Sequence, residues 1–146
     1  VENGPNGGDE VNELMPGLNY GWPIIGAGRF YLGPRVSVDP YRENMEPPVA
    51  FWVPAIAPSG LTFYTGDKFP AWKNNLLIGA LTTKQLIRMA FKQPSQAEKR
   101  EPLLTTLNVR VRDIVLGPDG NLYVATEQAS GGRAADGTLL RIEPIQ

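Results

Sequence analysis

Two arginines, Arg110 and Arg112, stand two residues apart at the start of the segment RVRDIVLGPDGNLYVAT. Side chains at positions i and i+2 of a β-strand project from the same face, so a strand here would place the two guanidinium groups side by side. Guanidinium groups bind carboxylates and phosphates through paired hydrogen bonds, so the two residues could clamp an anion. The alternative is a solvated basic pair that a nearby Asp or Glu neutralises.

The composition excludes several other kinds of site. None of the 146 residues is histidine or cysteine, which rules out a histidine base, histidine or thiolate metal ligands, disulfides and cysteine nucleophiles within this chain. The 14 basic and 15 acidic residues nearly balance, which gives no support to a nucleic-acid partner or a membrane-surface role. No apolar run approaches the roughly 20 residues of a membrane span, and no signal peptide is visible.

The elements that would position the arginines are predicted to be strands. Asp113–Leu116 is mostly apolar or β-branched, and Asn121–Thr126 alternates apolar and polar residues. The four residues 117–120, Gly-Pro-Asp-Gly, form a strong turn signal between them, so the segment is predicted to be a β-hairpin. The chain has 16 glycines and 14 prolines, a content typical of many short strands joined by turns.

The rest of the chain also divides into loops and short strands. A glycine-rich loop is expected at Val1–Gly8, a long loop at residues 26–48 and a polar turn at Gln93–Arg100. Short strands are expected at Asp9–Leu14, Asn19–Ile25, Asn75–Leu81, Lys84–Phe91 and, as an outer strand, Glu101–Thr106. The chain begins inside the first loop, as a fragment of a longer protein would.

The second half of the chain repeats with a period of about 50 residues. In order, Gly60–Tyr64, Leu76–Leu81 and Leu86–Met89 correspond to Asp113–Gly117, Leu122–Glu127 and Leu139–Ile142. A repeat of this length with three or four strands is typical of β-propeller blades, although a generic antiparallel sandwich is the alternative. We predict an all-β chain, a partial propeller of a little over two four-stranded antiparallel blades.

The predicted blades divide a single domain, residues 1–146. Residues 1–48 would form the end of one blade plus the long loop, 49–108 a complete blade, and 109–146 a final blade that lacks its outer strand. Open strand edges at the ends of such a fragment would allow pairing with another copy of the chain.

Five segments, in the same order and at compatible spacing, resemble the C-terminal part of the soluble PQQ-dependent aldose sugar dehydrogenases, the glucose/sorbosone dehydrogenase family. They are GPNGGDEVN (4–12), LNYGWP (18–23), PAIAPSGLTFYTGDKFPAW (54–72), NNLLIGAL (74–81) and RVRDIVLGPDGNLYVATE (110–127). The resemblance covers nearly the whole chain and implies part of a six-bladed β-propeller. It also implies an enzyme, periplasmic or secreted, that oxidises the C1 hydroxyl of an aldose to a lactone with PQQ and a calcium ion.

The resemblance assigns cofactor-binding residues. Arg110 and Arg112 match the arginines that hold PQQ near its quinone edge, and Asn3 matches a polar cofactor contact. Thr82 falls where the family has a cofactor-binding lysine, and Lys84 could replace that lysine only if the turn were remodelled.

The resemblance also assigns metal ligands. Gly4 and Pro5 match residues whose main-chain carbonyls bind the catalytic calcium, with an ordinary turn as the alternative. Glu10 and Tyr20 match a second, structural calcium site, through the carboxylate of Glu10 and the main-chain carbonyl of Tyr20. A surface glutamate and a packed tyrosine are the alternative.

An aromatic residue stacks on PQQ in some family members, and Trp52 lies near that position. Alignment through PAIAPSG places Val53 there instead, which favours a packing role for Trp52.

The family's general base is a histidine in an early blade, and this chain has none. We therefore expect no catalytic base within these residues and an enzyme that is incomplete without N-terminal blades. A second hypothesis is a non-catalytic propeller fragment that self-associates and acts as a binding or structural module. A lactonase-like, sugar-binding propeller is less favoured, because the sequence shows no cluster of carboxylates.

Overall fold

A computed structural model of the chain describes residues 1–39, 41–93, 96–128 and 136–145. Within these ranges the chain is all-β, with nine strands, two short 3-10 segments and no α-helix. The strands are β1 (Asp9–Val11), β2 (Ala50–Trp52), β3 (Pro58–Phe63), β4 (Leu76–Ala80), β5 (Gln85–Gln93), β6 (Gln96–Leu103), β7 (Arg110–Leu116), β8 (Leu122–Glu127) and β9 (Gly137–Ile142). The 3-10 segments are Pro70–Trp72 and Thr105–Leu107, and neither has the length to cross a membrane.

The chain forms two compact units, Val1–Pro58 and Ser59–Gln146. In the first unit, β1 and β2 pair antiparallel. The predicted strand Asn19–Ile25 is wrong, since Gly21 has a φ of +94° and its carbonyl accepts hydrogen bonds from the N–H groups of Ile24 and Ile25. A turn therefore replaces it, and the partner of β1 comes from the segment after the long loop.

The second unit contains a four-stranded sheet, ordered β3-β4-β5-β6, and a three-stranded sheet, ordered β7-β8-β9. The predicted repeat is confirmed, because each pair of corresponding segments occupies the same place in its sheet. The outer strand differs from its prediction. β6 begins at Gln96 and ends at Leu103, so most of the polar stretch expected to be a turn is a strand.

The core of the second unit lies between these sheets and fixes the start of β7. Every residue of β4 is buried. A Cβ on Gly79 would lie 2.5 Å from Ser59 Oγ and 2.7 Å from Val111 Cγ1, so β4 meets β7 at a position that only glycine fits. The buried cluster comprises Tyr64, Leu77, Leu86, Val111, Ile114, Leu122 and Val124. The buried side chain of Val111, between the two arginines, thus anchors the predicted anion site to the core.

Candidate functional site

The two arginines converge on one carboxylate, that of Glu127 on β8. Arg112 donates its Nε–H to Glu127 Oε2, and the Nε of Arg110 lies 3.7 Å from the same oxygen. The side chains of Arg110, Arg112 and Glu127 are 30%, 49% and 25% exposed, so the group lies at a partly solvated surface. The expectation that both arginines occupy one face is confirmed, and the chain itself supplies an anion between them.

A β-bulge in β7 creates this arrangement. The register shifts between Val111 and Asp113, which leaves Arg112 without a partner residue on β8 and puts Glu127 opposite Arg110. In an unshifted ladder Glu127 would face Val111, whose side chain is fully buried. The bulge therefore brings the carboxylate to the face that carries the arginines.

Two guanidinium groups face one carboxylate here, which leaves one net positive charge. The hydrogen bond from Arg112, assisted by the charges of both arginines, lowers the pKa of the Glu127 carboxyl. The buried Nε of Arg110 has no hydrogen-bond partner in the described part of the chain. Because an unpaired buried donor is unfavourable, a further carboxylate that accepted from it would be stabilised.

The turn that carries Thr82 follows β4 beside the start of β7. Gly79, three residues earlier, packs against Val111. Thr82 is exposed, while Lys84 is half-buried and adopts a left-handed conformation with a φ of +52°. The turn therefore lies at the same end of the sheets as the arginines, and cofactor binding by Thr82 stays a prediction.

The five predicted site residues of the first unit line a single cleft of about 120 Å³. The resemblance to the dehydrogenase family assigns them to a cofactor contact and to two separate calcium sites. They are Asn3, Gly4, Pro5, Glu10 and Tyr20, and Glu2 and Trp22 also line the cleft.

Gly4 and Pro5 belong to a tightly folded loop. A Cβ on Gly4 would lie 2.1 Å from the carbonyl oxygen of Gly7, so the loop admits only glycine there. Pro5 has no N–H group, and main-chain carbonyls in such loops suit a hard cation. No three acidic side chains come together anywhere in residues 1–39, 41–93, 96–128 and 136–145, so a calcium ion here would need main-chain oxygens in addition to carboxylates.

Glu10 faces a second carboxylate, that of Glu2. Each residue donates its N–H to the carbonyl of the other at 2.9 Å, which places the two side chains directly opposite each other. The amide of Asn12 donates to Glu2 Oε1 at 2.8 Å and to Glu10 Oε2 at 3.4 Å. Burial, and then the contact with Glu2, raises the pKa of Glu10 to about 7. Two carboxylates this close are stabilised by a shared proton or by a cation.

The Tyr20 hydroxyl already makes two hydrogen bonds within the chain, whereas the Asn3 amide makes one weak contact. The Tyr20 hydroxyl donates to the carbonyl of Glu13 at 2.8 Å and accepts from the N–H of Met15 at 2.6 Å. A role as a calcium ligand would therefore fall to its main chain, as the family resemblance implies. Asn3 Nδ2 lies 3.5 Å from the carbonyl oxygen of Pro58, a weak contact that leaves much of its amide for a ligand.

Three residues of these groups were missed by sequence reasoning. Glu127 reaches the arginines only because of the bulge, and Glu2 meets Glu10 through a bridge that no local pattern signals. Asp9 is fully buried on β1. An acidic residue that opens a strand directly after a glycine-rich loop was the available signal for it, because such side chains often bond nearby N–H groups.

Comparisons with known proteins agree with the resemblance seen in the sequence. The sequence pattern of the glucose/sorbosone dehydrogenase family matches residues 1–141. The aldose sugar dehydrogenase YliI of Escherichia coli strain K12 is 40% identical over 145 residues, which cover 98% of this chain and 37% of that protein. Quinoprotein glucose dehydrogenase B of Acinetobacter calcoaceticus is 25% identical over 194 residues, which cover 94% of this chain and 40% of that protein.

The fold agrees as well. A crystal structure of glucose dehydrogenase matches with a TM-score of 0.88 and 38% sequence identity, over 99% of this chain and 40% of that one. The predicted class, an all-β partial β-propeller, is confirmed, and the chain spans between 37% and 40% of the length of these three proteins. The chain belongs to the glucose/sorbosone dehydrogenase family.

Proposed function

We propose that this chain supplies the C-terminal part of a PQQ- and calcium-dependent dehydrogenase that oxidises the C1 hydroxyl of aldoses to lactones. Family membership supports a sugar dehydrogenase. The quinoprotein name of the relative from Acinetobacter calcoaceticus supports a quinone cofactor. The observation that carries the proposal is the arginine pair, with its net positive charge and the unpaired Nε of Arg110.

The arginine pair fits PQQ because that cofactor carries carboxylates. Arg112 already holds one carboxylate, that of Glu127, so its geometry suits this type of group. A cofactor carboxylate would satisfy the buried Nε of Arg110 and balance the remaining positive charge. Fixed positive charge beside a quinone also favours its reduced, anionic form.

The cleft of the first unit fits calcium. Hard cations select oxygen donors, and the cleft offers the main chain of the Gly4–Pro5 loop together with the Glu2 and Glu10 carboxylates. The pKa of Glu10 is raised first by burial and then by the neighbouring Glu2 carboxylate, and no positive charge compensates for either effect in the described part of the cleft. A cation in the cleft would supply that charge and lower this pKa.

In this proposal bound PQQ, together with calcium, would supply the acceptor for the hydride that leaves C1 of the sugar. The residues of this chain would bind and orient these groups: Arg110 and Arg112 would hold a cofactor carboxylate, and the Gly4–Pro5 loop would hold the cation. The hydroxyl proton must pass to a base as the hydride leaves. Because the chain contains no histidine, the proposal assigns that base to residues outside these 146, and the chain alone is expected to be inactive.

A chimera tests the proposal. These 146 residues replace the matching segment of the E. coli aldose sugar dehydrogenase, and both the chimera and the isolated chain are titrated with PQQ with and without calcium. We expect calcium-dependent PQQ binding and glucose-dependent dye reduction in the chimera, and no dye reduction by the isolated chain. A folded chimera that neither binds PQQ nor reduces dye would overturn the proposal.

Matched substitutions locate the site within the chimera. Arg110→Gln and Arg112→Gln are each expected to weaken PQQ binding about 10-fold or more, since a hydrogen bond to a charged group contributes about 1.5–3 kcal/mol. Arg141→Gln is the control, because Arg141 on β9 forms an exposed ion pair with Glu143, which follows the end of that strand. Equal losses in all three variants would show a general charge effect rather than a clamp.

One observation favours the second candidate, a self-associating fragment without catalytic activity. β9 lies at the end of its three-stranded sheet, and Leu139 on this strand is 69% exposed. An exposed edge strand with an apolar side chain can pair with another chain. This candidate predicts a defined homo-oligomer in light scattering and no PQQ affinity in the chimera. A strictly monomeric isolated chain would contradict it.

A further inference from the structure

The carboxylate of Asp9 is fully buried, and both of its oxygens accept main-chain hydrogen bonds. Oδ1 accepts from the N–H of Gly4 at 2.8 Å. Oδ2 accepts from the N–H groups of Ile56 at 2.7 Å and Ala57 at 2.8 Å. Three donors stabilise a charge that burial would otherwise make unfavourable.

These bonds fix the path of the main chain on both sides of β1. The N–H of Gly4 points toward Asp9, and because a trans peptide is planar, the carbonyl of Asn3 points the other way. Ala57 has a φ of +51°, which a residue with a side chain adopts only where its surroundings hold it. One carboxylate therefore joins the loop before β1 to the segment after β2.

Asp9 acts on the cleft through the loop. Gly4 and Pro5 line the cleft, whereas Asp9 does not. The Asp9 carboxylate therefore affects a ligand in the cleft only indirectly, through the position in which it holds the Gly4 N–H. A loop that is already held in its binding conformation binds more tightly, because less main-chain entropy is lost on binding.

We propose that Asp9 is a positioning residue that holds the Gly4–Pro5 loop in the conformation whose main-chain oxygens bind a divalent cation. The inference rests on the calcium site of the proposed function and names the group that preorganises it. Loss of Asp9 is expected to lower calcium affinity by about 10- to 100-fold, as for other groups that orient metal ligands.

The test is calorimetric titration of the isolated 146-residue chain with calcium, in a Glu10→Gln background. Glu10 is replaced because its carboxylate lines the same cleft and would bind the ion itself. Asp9→Asn keeps the side-chain shape but exchanges an accepting oxygen for a donor. Val11→Ala is the matched control, since it removes buried methyl groups from β1 and leaves the Asp9 hydrogen bonds in place.

If Asp9 positions the loop, Asp9→Asn should lose calcium affinity and Val11→Ala should not, even where the two variants lose a comparable amount of thermal stability. Equal loss of affinity in both variants would overturn the inference, because destabilisation alone would explain it. Unchanged affinity in Asp9→Asn would overturn the inference and leave the proposed function standing. If the Glu10→Gln parent binds no calcium, the unsubstituted chain is titrated as well. Binding only in the unsubstituted chain would overturn the inference, since the loop's main-chain oxygens would not hold the ion without Glu10, and binding in neither would overturn the calcium part of the proposed function.

Hydrogen exchange of the unsubstituted chain provides a second test that does not require Asp9→Asn to fold. If Asp9 preorganises the loop, the Gly4 amide is protected without calcium, to a similar degree as the Ile56 and Ala57 amides. A Gly4 amide that becomes protected only when calcium is added would overturn the inference, since the ion would then order the loop.

Discussion

Arg112 is the residue of β7 that the bulge leaves without a partner on β8, and its Nε–H donates a hydrogen bond to Glu127. Arg110 approaches the same oxygen to 3.7 Å, so two cations share one anion. Glu127 neutralises one of the two guanidinium charges, which leaves one positive charge and one unpaired buried donor. An ordinary surface ion pair has neither feature, and the proposed binding of a cofactor carboxylate depends on both.

Glu127→Gln is expected to strengthen PQQ binding by the chimera. The carboxylate of Glu127 competes with the cofactor for Arg112, and an exposed pair of this kind contributes little enough that the gain is at most about fivefold. Fluorescence titration with PQQ measures it, with Glu143→Gln as the control on an unrelated exposed pair. Weaker binding would mean that Glu127 orients the arginines rather than competing with the cofactor.

The same ion pair predicts an acid-dependent loss of stability. The pKa of Glu127 is lowered in the folded state, first by its hydrogen bond with Arg112. The stabilisation is therefore complete above the ordinary carboxyl pKa and disappears as pH falls through the lowered value. Between about pH 5 and pH 3, Glu127→Gln should lose less stability than the unsubstituted chain in urea denaturation. Equal losses of stability in Glu127→Gln and in the unsubstituted chain would indicate that the ion pair makes no measurable contribution to stability.

Glu10 predicts the opposite pH dependence. Its pKa is raised to about 7 by burial and by Glu2, so the folded chain binds this proton more tightly than the unfolded chain does. The free energy of unfolding should therefore fall by about 1–3 kcal/mol as pH rises from about 4.5 to 7. Denaturation at pH 5 and pH 8 measures the fall, which Glu10→Gln should reduce. Added calcium should restore more stability at pH 8 in the unsubstituted chain than in Glu10→Gln.

Gly79→Ala tests the contact that anchors the start of β7. The added methyl group would lie 2.5 Å from Ser59 Oγ and 2.7 Å from Val111 Cγ1. Overpacking of this kind should lower the free energy of unfolding by about 1–3 kcal/mol. Gly33→Ala is the control, because the nearest atom to its Cβ is 3.5 Å away. Chemical denaturation of both variants measures the difference, and equal stability would contradict the close packing.

Much of the fold could be predicted from local patterns. The 50-residue repeat, the turn residues 117–120 and the apolar run that became β4 rest on strand periodicity and turn chemistry, which neighbouring residues determine. The strand at Asn19–Ile25 was wrong because Gly21 and Pro23 favour a turn more strongly than the apolar pattern favours a strand. The outer strand β6 was predicted at Glu101–Thr106 instead of Gln96–Leu103, because its pairing with β5, rather than its own polar composition, makes its first half a strand.

The residue types of the candidate site were determined by the sequence itself. It placed two arginines on one strand face, put glycine and proline in the loop that lines the cleft, and contained no histidine to act as a base. These are properties of single residues and short spacings, which need no knowledge of distant contacts.

Tertiary structure alone decided which residues meet. One extra residue in β7 carries Glu127 to the arginines, a bridge sets Glu2 against Glu10, and Asp9 ties Gly4 to Ile56. Each contact depends on strand register or on a main-chain N–H group from a distant segment. Register changes the side-chain face with every single-residue shift, so only the folded chain determines it.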